Sequence, residues 1–183
     1  MLDTLITSKT RIKLMLKFFL NSNSSSYLRS LESEFGESTN AIRIELNRFE
    51  EAGLLASYLQ SNKKYFKANT KHPLFQEIHS IVKKYIGIDQ IISSVVSKIG
   101  DINEVYLTGD FASGKNSQII DLLIVSENLD KGYLVKLVDK AESIISRKIR
   151  YLVMNKSDII PYKKHLNSSG YLLIWKAEDN SDK

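Results

Sequence analysis

The stretch "GESTNAIRIELNRFEEAGLLASYLQSNKKYFKAN", residues 36–69, decides how the first half of this chain folds. Ile42, Leu46 and Phe49 recur at helical spacing and define an inward stripe. Ser38, Thr39 and Asn40 supply a capping cluster before that stripe, and Gly53 closes it. At 100° per residue, Asn40, Arg43, Ile44 and Asn47 fall on the opposite face. Two strand-like runs follow, Leu54 to Gln60 and Lys64 to Ala68, around Ser61, Asn62 and Lys63, which predicts a hairpin with a basic tip.

Upstream, Ile12, Met15, Leu16 and Phe19 mark a helix over residues 8–21, and the serine-rich stretch 22–26 breaks it. Leu28, Leu31 and Phe35 mark a second, shorter helix ending at Gly36. Three helices and then a hairpin spell a winged helix-turn-helix. Arginine can fork to guanine O6 and N7, and asparagine can pair with adenine N6 and N7. Arg43, Asn40 and Asn47 are therefore the expected base readers. Ser38, Thr39 and Arg48 are assigned to flanking backbone, and Lys63 and Lys64 to phosphates. A merely solvated helix face is the competing interpretation. The quoted stretch resembles the winged helix-turn-helix of ArsR-like regulators, with "NAIRIELNRFEEAGLL" matching the recognition-helix segment. That resemblance covers about residues 8–70 and implies binding to double-stranded DNA; some winged helices of this pattern bind protein instead.

Downstream, His72-Pro73 is the expected start of a connector helix carrying Leu74, Ile78, Ile81, Val82 and Tyr85 and ending at Gly87. Ile88, Ile91, Ile92, Val95, Val96 and Ile99 form the strongest helical stripe in the chain. Its partner, its own domain or a second subunit, is left open. Past Gly100 the pattern alternates: strands at 104–108, 119–125 and 149–154, and a helix at 130–145. Residues 171–175 read as a strand or as part of a helix, and 178–183 as a frayed end. The expected organisation is an α/β two-domain chain: residues 1–70 as the winged helix, 71–87 as connector, and 88–183 as a mixed sheet with helices.

Between the first two of those strands lies "LTGDFASGKNSQIIDLLIV", which resembles the signature of minimal nucleotidyltransferases of the polymerase-β superfamily. In that family a Gly-Ser pair binds triphosphate, and an Asp-x-Asp pair on one strand face holds Mg²⁺ for phosphoryl transfer. Here Gly109, Phe111, Ala112 and Gly114 match, but Asp110 stands at the serine position and Asp121 is the single acid of the pair, since Ile119 and Leu123 offer no ligand atom. "KIRYLVM" places Arg150 and Tyr151 where a third acid would be expected. Gly109, Asp110, Gly114 and Asp121 are thus residual nucleotide-site positions. Asp121 is either a polar residue held by backbone N–H groups or a surviving chelator. Gly109 and Gly114 are either turn residues or phosphate contacts, and Asp110 could cap a following helix.

The 183 residues carry a net charge of +5, with 43% hydrophobic and 26% charged residues, an ordinary globular balance. Thirteen basic residues face eight acidic ones before Gly87, and the remainder is balanced, so the entire excess lies in the first half of the chain. The absence of cysteine rules out disulfides, thiolate zinc sites and cysteine nucleophiles. Lys9, Arg11, Lys13 and Lys17 interrupt the apolar N-terminal residues, which argues against a secretory signal and for the cytoplasm, with no membrane partner. His72 and His79 could share a helix face but lack a third ligand nearby. The combined resemblance, over nearly the whole chain, is to regulators that fuse an ArsR-like winged helix to a minimal nucleotidyltransferase domain. It implies a homodimeric transcriptional regulator whose second domain serves sensing or assembly, with a nucleotide or small molecule as the open choice of effector. No catalytic residue, cofactor or metal ligand set is assigned. The alternative is an active metal-dependent nucleotidyltransferase that uses the winged helix for targeting.

Overall fold

A computed structural model describes residues 2–165 and 170–177. The chain is α/β, with two separate sheets, and divides into two compact units. The first runs to Tyr85 and includes Ser113–Asn116; the second comprises Ile86–Ala112 and the chain from Ser117 onward. Among the described residues, no helix is long and apolar enough to cross a membrane. The segment 178–183 lies outside the described residues.

In the first unit, α1 (Leu2–Leu5) precedes α2 (Lys9–Met15), which continues as a π-helical turn, Leu16–Leu20. Ser8 caps α2 by accepting from the Arg11 N–H at 3.2 Å. Strand β1 (Ser25–Tyr27), α3 (Leu28–Phe35) and α4 (Thr39–Glu51) follow. Then come β2 (Leu55–Gln60), β3 (Lys63–Ala68) and α5 (Phe75–Ile86). The core is aliphatic and aromatic: Leu14, Phe18, Phe19, Leu31, Ile42 and Leu46 are all buried. Phe19 meets Phe49 edge-on at 6.3 Å between ring centroids, and Phe75 at 5.9 Å.

Three expectations change here. The serine-rich stretch is more than a break, because Ser25–Tyr27 pairs antiparallel with β3 and makes a sheet in the order β1-β3-β2. A three-residue strand is too short to show periodicity. The hairpin tip is Ser61-Asn62 alone, with φ of 47° and 60°, and Lys63 is already paired with Gln60. Two left-handed residues are what a two-residue hairpin loop requires, since the primed turns match the strand twist. Finally α5 starts at Phe75, not at His72-Pro73: the Phe75 N–H bonds the His72 carbonyl at 2.9 Å, so residues 72–75 form a separate turn ahead of the helix.

In the second unit, α6 (Ile88–Ile91), a π-helical turn (Ile92–Val96) and α7 (Ser97–Ile99) form one continuous helical run. Then follow β4 (Ile102–Thr108), α8 (Gly109–Ala112), β5 (Ile119–Ser126) and α9 (Lys131–Ile145). The unit ends with β6 (Lys148–Met154), α10 (Lys156–His165) and β7 (Tyr171–Lys176). The isoleucine-valine stripe packs on α9 of the same unit. The sheet order is β6-β5-β4-β7, with β5 and β6 parallel and the other pairs antiparallel. Residues 171–176 are therefore a strand. Tyr106, Leu123 and Val125 cluster with Ile159 of α10, so α10 covers the sheet face that also carries Asp121 by strand alternation. That helix escapes a reading of the sequence because Pro161 interrupts its pattern from inside.

Candidate nucleic-acid interface

Helix α4 is positioned by its own sequence. Ser38 is its N-cap and accepts from the Ala41 N–H at 3.2 Å. Ile42, Leu46 and Phe49 are buried, while Asn40, Arg43, Ile44, Asn47 and Arg48 are exposed and Thr39 is half-buried. The hydroxyl of Ser38 is thus engaged in capping. Arg48 Nη1 turns back onto Glu45 Oε1 at 3.2 Å.

Glu45 is a charged residue on the inward face that the apolar stripe does not reveal. Only 6% exposed, it receives Arg11 Nε at 2.9 Å and the Ser8 hydroxyl at 3.0 Å, which ties α2 to α4. Burial pushes its carboxyl up, but the hydrogen bonds from Arg11 and Ser8 and the two guanidinium charges outweigh that, leaving it below the usual carboxylate range.

Four of the eight expected contact residues converge. Arg43, Asn47, Lys63 and Lys64 line a single cleft of about 630 Å³ between the outer face of α4 and the hairpin. Ser38, Thr39, Asn40 and Arg48 lie outside its lining. The cleft adds Arg29 from the start of α3, a residue that no sequence pattern singles out. Among the described residues no acidic side chain lines it. The two lysines differ in their attachments. Lys63 Nζ lies 4.4 Å from the centre of the Tyr27 ring, a cation–π contact, whereas Lys64 Nζ pairs with Glu50 Oε2 at 2.7 Å. The hydrogen bond from Lys64, with a second from the Ser57 hydroxyl, lowers the Glu50 carboxyl below its ordinary range.

The residual nucleotide-site positions are distributed between the two units. Gly109 has φ of +63°, and a Cβ there would stand 2.4 Å from Asp121 Oδ2. It is therefore a close-approach glycine beneath that carboxylate. Asp121 accepts from Arg150 Nε on the neighbouring strand, where Asp121 and Arg150 are register partners. The Asp121 hydrogen bond raises the Arg150 guanidinium further, followed by the charges of Asp121 and Asp110. Asp110 is exposed in the first turn of α8. Along β5, Ile119 and Leu123 share the side of Asp121 and carry no ligand atom. Gly114 belongs to the first unit: its φ is +79°, and a Cβ would meet the Lys17 backbone at 2.5 Å.

A second polar group, invisible in the sequence, lies on the same sheet face as Asp121. Lys163 of α10 donates to the Tyr106 hydroxyl, which donates to Glu104. Burial pulls the Lys163 ammonium down, but its bonds to Tyr106 and Glu104 raise it overall, and burial with the Glu104 hydrogen bond raises the Tyr106 phenol. Contacts between residues 57 to 59 positions apart leave no local signature. Among the described residues no cluster of three or more His, Asp or Glu is arranged to hold a metal ion. His79 instead faces the Phe19 carbonyl through Nδ1 at 2.6 Å.

No protein-family model matches this chain, and neither does any curated protein.

Proposed function

We propose that this protein is a DNA-binding transcriptional regulator, a winged helix-turn-helix joined to a nucleotidyltransferase-like domain that has no catalytic role. The acid-free cleft carries the proposal: it gathers Arg29, Arg43, Lys63 and Lys64 around Asn47 on the outer face of α4. In this reading α4 enters the major groove, where Arg43 and Asn47 suit guanine and adenine edges. Lys63 and Arg29 neutralise phosphates and fix register, while Lys64, paired with Glu50, adds less. Two copies related by a two-fold axis would read paired half-sites.

The inactive second domain is supported by Arg150, which already supplies a cation to the single carboxylate left at the Asp-x-Asp position. A divalent ion at Asp121 would have to displace a bonded guanidinium and find its other ligands elsewhere. This domain then serves sensing or assembly, with a nucleotide or small molecule as effector, in a cytoplasmic homodimer.

A fluorescence-anisotropy titration with labelled duplex DNA tests the proposal. Binding is expected to weaken steeply with added salt and to fall about tenfold or more in Arg43→Ala. An affinity indifferent to both salt and Arg43 would sink the assignment. Incubation with labelled ATP and Mg²⁺ or Mn²⁺ is expected to give no transfer; transfer abolished by Asp121→Ala would establish the enzymatic alternative.

A further inference from the structure

The outward face of the β1-β3-β2 sheet carries a row of three tyrosines, one from each strand. Tyr27 and Tyr58 are both register partners of Tyr65. Their rings are in contact: Tyr58 lies near-parallel to Tyr65 at 5.6 Å between centroids, and Tyr27 meets Tyr65 at 5.2 Å and 62°. Strand alternation sends Phe66 and Ala68 inward, where both are buried, and Lys63, Tyr65 and Lys67 outward. The residues of the three strands that share this face are Ser25, Ala56 and Gln60, together with the tyrosines and the two lysines. None is acidic. Lys63 Nζ lies 4.4 Å from the Tyr27 ring centre and Lys67 Nζ 5.7 Å from that of Tyr58.

Aromatic rings interleaved with lysines on an open sheet match the chemistry of an unpaired polynucleotide, which alternates flat bases with negative phosphates. A duplex cannot use the rings, because its bases are stacked on each other. We infer that this tyrosine row is a platform for a single strand of DNA, with bases stacking on the rings and phosphates drawn to Lys63 and Lys67. An exposed cation–π contact is weaker than base stacking, so an incoming base displaces an ammonium from its ring and leaves that ammonium to pair with the adjoining phosphate. Tyr27 and Lys63 also line the cleft beside α4, so the platform is continuous with the proposed duplex site. The choice of DNA over RNA rests on that duplex reading; the platform itself does not.

The test is an anisotropy titration of the full chain with labelled oligodeoxythymidine, an abasic strand of equal length, oligouridine and a duplex. Tyr58→Ala is expected to weaken oligodeoxythymidine binding about tenfold and to leave duplex affinity unchanged, while Arg43→Ala does the reverse. Tyr58→Phe retains the ring and restores single-strand binding, and the abasic strand binds the unaltered protein as weakly as oligodeoxythymidine binds Tyr58→Ala. Lys67→Ala, on the exposed side of β3, lowers the salt slope by about one. Equal binding of abasic and base-bearing strands, failure of Tyr58→Phe to rescue, an unchanged salt slope in Lys67→Ala, or tighter binding of oligouridine would overturn the inference. Loss of duplex binding with single-strand binding intact would remove the function proposed above and leave the platform standing.

Discussion

Single residues in the cleft divide into cations held by the protein and cations available to a ligand. Arg43 has no ion-pair partner among the described residues, whereas Lys64 is neutralised by Glu50. Lys64→Ala is therefore expected to cost duplex affinity much less than Arg43→Ala. Glu50→Gln should do the opposite, freeing Lys64 to strengthen binding about two- to threefold and steepen the log–log salt slope by about one, both readable by anisotropy. Gly109 makes a separate prediction. Alanine there would be strained at φ +63° and would collide with Asp121, so Gly109→Ala is expected to lower stability by about 1–3 kcal/mol in urea unfolding. Glu45→Ala should cost about 1–2 kcal/mol, since it removes the acceptor shared by Arg11 and Ser8, both of which stay partly open to water.

At the scale of elements, the hairpin is held by a two-residue turn of non-glycine residues at positive φ. Ser61→Gly relieves the strain at φ 47° and is expected to raise stability by about 0.5–1 kcal/mol in thermal unfolding. The elements also show what the sequence made legible. Helix α4 was readable from Ile42, Leu46 and Phe49 because one apolar face with a serine cap is a local pattern of about three turns. Strands β4, β5 and β6 were readable from short apolar runs, residues 105–107, 122–125 and 151–154, each set off by polar residues. Strand β1 was not, since three residues held by a partner about forty positions away have no pattern of their own. Helix α10 is hidden by Pro161, and the start of α5 is hidden because residues 72–75 close a turn of their own, Phe75 N–H to the His72 carbonyl, ahead of the helix. For the cleft, Arg43, Asn47 and the lysines followed from helix and hairpin periodicity. Arg29 did not, because its place depends on how α3 follows β1.

For the whole molecule, acid sensitivity follows from carboxylates in both units. Glu37 and Glu50 are lowered chiefly by hydrogen bonds from Lys13 and Lys64. Glu45 and Glu104 are raised by burial but lowered more by their partners, Arg11 and Ser8 for the first and Tyr106 and Lys163 for the second. A carboxyl whose folded value lies below its unfolded one of 4.5 stabilises the fold above that pH. That contribution is lost as the pH falls through the folded value. Melting temperature is therefore expected to stay nearly level from pH 7 to about 5.5 and to drop below about 4.5, as scanning calorimetry can follow. Glu45→Gln should flatten the acid limb.

The Arg150 guanidinium beside Asp121 has one last implication. A carboxylate whose countercharge is built into the chain has less to gain from a dissolved cation. Chelators should leave the melting curve where it is, and millimolar magnesium should not move it.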